Sequence, residues 1–463
     1  MPDILLTHAY FLHEDEKEQE IMRPYPTLGL LYISAWLRQR DFDVDVFDST
    51  FETCENLFTR LESLPAGVLG IYTNLMTRAN TLKITRHARS LGWTIVLGGP
   101  EAANYPEQYL RRGAHVVVIG EGEVTMQELL PALAKNGPHR LHGVDGTVFL
   151  DEDGILVTNP EREQIADINT IPWPDREQIN QQRYIDAWRE HHGEGSVNLI
   201  TARGCPYRCK WCSHAVYGYT HRRRNPVDCA AEVEHIRETY NPDLVWYADD
   251  VFTIHHRWLY RFHEELKRRD IKIPFETISR ADRMMKDEVL ATLAEMGCFR
   301  IWIGSESGSQ RILDAMERGV TTEQVQWATH AAQRHGIKVG MFLMWGYEGE
   351  TIDDIAATVE HVKKANPDIF FTTVAYPIKN TAYFDTVADR VVLDKEWEKA
   401  GDRDYQIRGR HSRNYYQHAN QWLFSDVESY RLRESDPARS AELHSTAMEA
   451  RQALIAAADE VEI

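Results

Sequence analysis

Three cysteines within one short run, Gly204-Cys205-Pro206-Tyr207-Arg208-Cys209-Lys210-Trp211-Cys212, constrain this chain more than any other feature. Their spacing lets a single loop wrap three thiolates around one inorganic cluster. Three ligands on a four-iron cube leave one iron without a protein ligand, and catalysis at a metal needs such an open position. The run follows directly on Val197–Ala202, an apolar stretch that reads as a strand, so the loop stands at a strand's carboxyl end. A structural zinc site is the competing reading. It needs a fourth Cys or His, and His214 is close by. The other cysteines, Cys54, Cys229 and Cys298, stand alone and read as packing residues.

The rest of the composition narrows the setting. At 463 residues the chain calls for two or three domains. Its formal net charge of −19 repels phosphate backbones, which argues against nucleic acid bound over a broad area. One dense basic run, His221-Arg222-Arg223-Arg224, reads as a solvated face. No apolar stretch approaches the roughly 18 residues of a membrane helix, and the N-terminus shows no secretory pattern. A soluble, cytoplasmic protein is expected.

The fold class reads as α/β in two parts. Strand-like runs at Asp3–His8, Asp43–Asp48, Val68–Tyr72, Trp93–Leu97 and His115–Ile119 alternate with helical patterns, such as the stripe Leu28, Leu31, Ile33, Trp36 and Leu37. Five β–α units in series predict a parallel, doubly wound sheet over 1–139, with ligands at the strands' carboxyl ends. Residues 140–195 break the rhythm and read as a linker with a small hairpin around Asp151-Glu152-Asp153-Gly154, then the rigid Ile171-Pro172-Trp173-Pro174. A second series of six units over 196–385 predicts a partial (β/α) barrel, with its chemistry at the strand ends. The remainder, 386–463, reads as helical with no strand signal.

The triplet Cys-x3-Cys-x2-Cys with an aromatic before the third cysteine resembles the signature of radical S-adenosylmethionine (SAM) enzymes. The resemblance spans about Val197 to Pro377. It implies a [4Fe–4S] cluster on Cys205, Cys209 and Cys212 whose open iron binds SAM, cleaved on reduction to methionine and a 5′-deoxyadenosyl radical. It further implies that Trp211 lies near the adenine and that Ala248, Asp249 and Asp250 hold the methionyl amino group. Arg280 would meet the SAM carboxylate, and Ser305 and Glu306 would contact the ribose. The stretch Gly346-Tyr347-Glu348-Gly349-Glu350-Thr351 resembles the family's Gly-x-Pro-Gly-Glu-Thr segment, with Glu348 in place of proline.

The N-terminal part resembles the cobalamin-binding (B12) domain that precedes the barrel in one radical SAM subfamily. The marks are Gly98-Gly99-Pro100 and Gly120-Glu121-Gly122-Glu123 after adjacent strands, in order ahead of the cysteines. Cobalamin is then expected on Thr73, Asn74, Gly98, Gly99, Pro100, Gly120, Glu121 and Gly122. The Asp-x-His-x-x-Gly segment that supplies an axial histidine elsewhere is missing; His8 and His13 do not fit it. One arginine of the basic run could instead reach a cobalamin phosphate or the SAM carboxylate. The combined resemblance implies methylation of an unactivated carbon of a small molecule through methylcobalamin, fed by a low-potential reductant such as flavodoxin or ferredoxin. Ring closure, ring contraction or oxidation without methyl transfer is the nearest rival, and a non-catalytic cobalamin or redox sensor a second. No catalytic acid or base is singled out.

Overall fold

The computed structural model describes residues 2–401 and 404–462. Its first sheet holds β1 (Ile4–His8), β2 (Val44–Phe47), β3 (Val68–Tyr72), β4 (Thr94–Gly98), β5 (Val116–Val118), β6 (Thr147–Leu150) and β7 (Leu156–Thr158), in the order β2-β1-β3-β4-β5-β6-β7. Strands β1 to β5 are mutually parallel. All five residues of β1 are buried, because helices cover both faces. Alternate side chains therefore enter two separate cores. Ile4 and Leu6 pack under the helices Leu28–Arg38 and Gly122–Asn136, while Leu5 packs on the opposite face with Leu57 and Leu82.

Residues 140–195 are more than a linker. The β6–β7 hairpin adds antiparallel to β5, pairing Val116 with Phe149, so the first sheet continues past 139. Phe149 and Val148 are buried on opposite faces, which explains the placement: the hairpin buries apolar side chains that would be exposed on a free linker.

The second sheet holds β8 (Ser196–Leu199), then β11 (Leu244–Tyr247), β12 (Phe275–Ser279), β13 (Cys298–Glu306), β14 (Lys338–Trp345) and β15 (Ile369–Val374), all parallel, in the order β15-β14-β13-β12-β11-β8. This is an open, six-stranded partial barrel. The predicted first strand, Val197–Ala202, is split. Beyond β8 the backbone leaves the ladder, and β9 (Ala202–Arg203) pairs antiparallel with β10 (Arg222–Arg223) instead.

After 386 the chain is mainly helical, as expected, with one short addition that left no strand signal. β16 (Val391–Leu393) and β17 (Tyr405–Ile407) form a short antiparallel ribbon. Two helices follow, Arg413–Leu432 and Pro437–Ala456, and their Trp422, Leu423 and Leu454 join the barrel's core. Among the described residues no helix is long and apolar enough to cross a membrane.

Candidate active site

The loop after β9 carries the three cysteines, and the fold fixes it at both ends. At its entry Gly204 has φ +83°, and a Cβ there would lie 2.4 Å from Thr220 O, so the chain needs glycine at this crossing. Further on, Lys210 donates its backbone N–H to Met316 O (3.0 Å) and accepts from Tyr383 N (2.9 Å), tying the loop to the barrel's far side. All six cysteines are free thiols. Burial, then the neighbouring Cys209 and Cys205, push the Cys212 thiol up to about 12; burial raises Cys205 as well. The Cys205 and Cys209 thiols therefore lie close enough to Cys212 to act on its charge.

The donor set fits an anionic thiolate cluster. Two buried guanidinium groups aim at one sulfur: Arg318 Nη1 lies 3.5 Å and Arg280 Nη1 3.8 Å from Cys209 Sγ. Such donors offset negative charge on coordinated thiolates. Zinc fits less well. His214, the candidate fourth ligand, turns Nδ1 to Gly218 O (3.3 Å) and packs on Tyr219.

Several residues expected to meet SAM are placed otherwise. Asp249 is buried and its carboxylate is consumed: it accepts from Thr201 N (2.6 Å), Ala202 N (3.1 Å) and Thr201 Oγ1 (2.5 Å), and pairs with Arg223 Nη1 (2.8 Å). This is what pulls the backbone off the ladder after β8. Ser305 points out of the barrel, sharing a hydrogen bond with His361 Nε2 (3.0 Å) on the surrounding helix. Arg280 is likewise committed, to Asp282 (2.9 Å) and Arg318 O (2.8 Å), with its guanidinium 3.6 Å over the Tyr207 ring. Asp250, by contrast, stands exposed beside the cysteines. Trp211 packs on the apolar group that includes Met316, Met344 and Tyr383, with its indole N–H unpartnered. Glu306 is buried near Arg318 (3.7 Å) in a left-handed conformation, φ +62°.

At the Gly346–Thr351 turn, Glu348 leaves the proline position to pair with Arg390 (2.7 Å). The turn is closed instead by Gly346 N donating to Glu350 (2.6 Å).

On the other side of the loop lies a cavity of about 470 Å³, floored by Leu6, Ile71, Val96 and Val118. Asn74, Gly98, Gly99, Pro100, Gly120, Glu121 and Gly122 line it together. Thr73 does not: it is fully buried, its hydroxyl on Thr81, and its carbonyl would lie 2.5 Å from a Cβ at Gly99. Gly99, at φ +96°, permits this packing. No histidine lines the cavity; the buried His8 is held by Asp48 at 3.0 Å.

The basic run is not a solvated face. Arg222 pairs with Glu121 (2.7 Å), Arg223 with Asp249, and Arg224 with Glu232 (2.5 Å). Arg203, which sequence reasoning missed, joins both acids of the Gly120–Glu123 segment, Glu121 at 2.8 Å and Glu123 at 2.5 Å. Thus Glu121, expected to meet cobalamin, and its neighbour Glu123 hold the radical-loop side of the molecule against the first sheet. Arg203, Val216, Tyr217 and Ala248 complete the same cavity's wall. An acidic pair in one part and a basic run in the other was the available signal; Arg318 had none.

Residues 199–362 match the family model "Radical SAM superfamily", and residues 20–130 match "B12 binding domain". An uncharacterized methyltransferase of Pyrococcus horikoshii is 26% identical over 395 residues, covering 83% of this chain and 84% of that protein. An anaerobic magnesium-protoporphyrin IX monomethyl ester cyclase of Rubrivivax gelatinosus is 25% identical, covering 81% and 69%. The fold is that of OxsB, a cobalamin-dependent S-adenosylmethionine radical enzyme (TM-score 0.74, 19% identity, 98% of this chain and 71% of that one). It is also that of the radical SAM methyltransferase TsrM from Kitasatospora setae (TM-score 0.70, 17%, 87% and 82%). The chain carries a B12-binding domain ahead of a radical SAM domain, the two domains of an enzyme whose cofactors are a [4Fe–4S] cluster, SAM and cobalamin.

Proposed function

We propose that this enzyme methylates an unactivated carbon of a small molecule. The cluster is held by Cys205, Cys209 and Cys212, with SAM beside Trp211, Ala248, Asp250 and the Glu306–Arg318 pair. Cobalamin occupies the 470 Å³ cavity, against Asn74, Gly98–Pro100 and Gly120–Gly122. When bound, the cluster with SAM supplies the radical and cobalamin carries the methyl group. The observation that supports this most is the shared wall: Arg203 and Ala248, which flank the cysteine loop and end β11, line the same cavity as the glycines ending β4 and β5. The chain's own task is positional. Arg203 and Arg222, clamped by Glu121 and Glu123, set the distance between the two cofactor bays, and Arg280 and Arg318 hold Cys209 with its charge offset.

A low-potential flavodoxin or ferredoxin is the proposed electron source. The likeness to the cyclases gives a second reading, ring closure or oxidation without methyl transfer. Anaerobic reconstitution with iron, sulfide and hydroxocobalamin, followed by turnover and product analysis, separates the two. S-adenosylhomocysteine beside 5′-deoxyadenosine supports methylation. 5′-Deoxyadenosine alone removes it in favour of the second reading.

A further inference from the structure

A second cavity, of about 300 Å³, lies where the ligand-facing ends of both parts meet. It shares Asn74 and Pro100 with the cobalamin bay, and Ser213, next to Cys212, forms part of its wall. The segment after the last barrel strand, Tyr376–Lys379, closes it, and Tyr405 of the C-terminal ribbon completes it. That segment is docked on the first domain: Asn380, held at φ +66°, donates its amide to Asn104 Oδ1 (3.1 Å).

The charge in this chamber is unbalanced. Its lining carries one carboxylate, Glu101, and one ammonium, Lys379. Glu101 is already taken by the buried Arg78 (2.5 Å), which also donates to Trp397 O, Ala400 O and the Tyr405 hydroxyl. Lys379 Nζ stands 4.6 Å over the Tyr105 ring, near enough to Glu101 to favour its charged form, but forms no ion pair among the described residues. Among the described residues, two cations and one anion leave one positive charge in excess, at a wall that includes Tyr376, Pro377, Ile378 and Met76. In a chain of net charge −19, an ammonium in a recess with no ion pair among the described residues is a selective anion anchor.

We propose that this chamber holds the substrate, and that the substrate carries an anionic group, a phosphate or carboxylate, which Lys379 receives while its apolar or planar body lies along Tyr376–Ile378. The inference rests on the function proposed above, since it places the substrate between the two cofactor bays. A charge-assisted contact of this kind is worth about tenfold or more in affinity.

The test uses the reconstituted holoenzyme with phenyl phosphate and benzoate as anionic probes and phenol as the neutral control. Acetylation of Lys379 by an amine-selective reagent is followed by peptide mass spectrometry, with the exposed Lys338 as internal reference. At least one anion is expected to slow Lys379 modification about tenfold and leave Lys338 unchanged, while phenol gives no protection. Equilibrium dialysis of that anion should show binding lost in Lys379→Met and kept in Lys379→Arg. Protection by neither anion, equal protection by phenol, or undiminished binding to Lys379→Met overturns the proposal. Iron and cobalt are counted on the same samples. Failure to load them undermines the proposed function, whereas a loaded enzyme without anion-selective protection removes only the substrate inference.

Discussion

Replacing Asp249 by Asn separates a cofactor-contacting role from the structural one observed. In the fold, Oδ1 accepts both Thr201 N and Ala202 N, while Oδ2 takes Thr201 Oγ1 and Arg223 Nη1. An asparagine carbonyl can replace Oδ1 and keep the backbone bonds. Its NH2 then faces the Arg223 guanidinium, donor against donor, and that arginine, its side chain buried, loses the carboxylate it pairs with. Breaking one side of a buried, hydrogen-bonded ion pair costs about 3–5 kcal/mol, a large part of a typical stability of roughly 5–15 kcal/mol. Because Thr201 and Ala202 open the cysteine loop, the loss should also appear as weaker cluster retention. Urea unfolding followed by tryptophan fluorescence, together with iron content after anaerobic reconstitution, measures both. Asp250→Asn is the control: its side chain is exposed and should change stability by no more than about 0.5 kcal/mol. The reasoning is refuted if Asp249→Asn unfolds like the parent and loads iron fully, yet loses SAM affinity.

The remaining tests address other links. Alanine at Cys205, Cys209 or Cys212 should abolish the cluster's visible absorption and SAM cleavage while cobalamin still binds; a surviving cluster in any of the three contradicts the assignment. Gly99→Ala places a Cβ 2.5 Å from Thr73 O at φ +96°, so a cost of about 1–3 kcal/mol and reduced cobalamin retention on gel filtration are expected. Burial raises the Glu350 carboxyl to about 8, well above its unfolded value, so its contribution is fully present below about pH 4.5 and is lost as pH rises through about 8. Glu350→Gln should therefore match the parent in acid and exceed it by roughly 2–3 kcal/mol at pH 9, and equal slopes of stability against pH would count against this. Arg78→Met strands the buried Glu101 and frees Trp397 and Ala400, so limited proteolysis between 388 and 412 should accelerate, whereas unchanged cleavage would show that the ribbon is held by other contacts.

The sequence was most legible where one physical pattern dominated. Strand β3 falls at its expected bounds because Val68–Tyr72 is an uninterrupted apolar run between polar segments. The cysteine loop was legible because its spacing has few other uses. What escaped was set by partners distant in sequence. Thr73 and Ser305 sit at strand ends like true site residues, and only the packing of Thr81 and His361 shows that they face away. The 221–224 run looked solvated because its acidic partners, Glu121, Asp249 and Glu232, lie on three separate segments. Strands β16 and β17 are three residues each, too short for alternation to rise above local charge.

In the proposed function, the same pairs are what holds two cofactor bays in register across so polar a junction. Arg203 and Arg222 meet Glu121 and Glu123 with little solvent access, and Ile165 N adds a donor to Glu121 at 2.9 Å. Such buried pairs add little net stability over apolar packing, because desolvation offsets much of their attraction. Their directionality is what differs. An apolar interface tolerates sliding by an ångström, but a guanidinium bridging two carboxylates does not. Arg203→Met strands the buried Glu123, so a loss of about 3–5 kcal/mol in stability is expected; below that variant's unfolding temperature both cofactors should still load, while SAM cleavage becomes uncoupled from product formation. If cleavage and product fall together, Arg203 serves cluster assembly instead of register, and the positional role given to this network has to be abandoned.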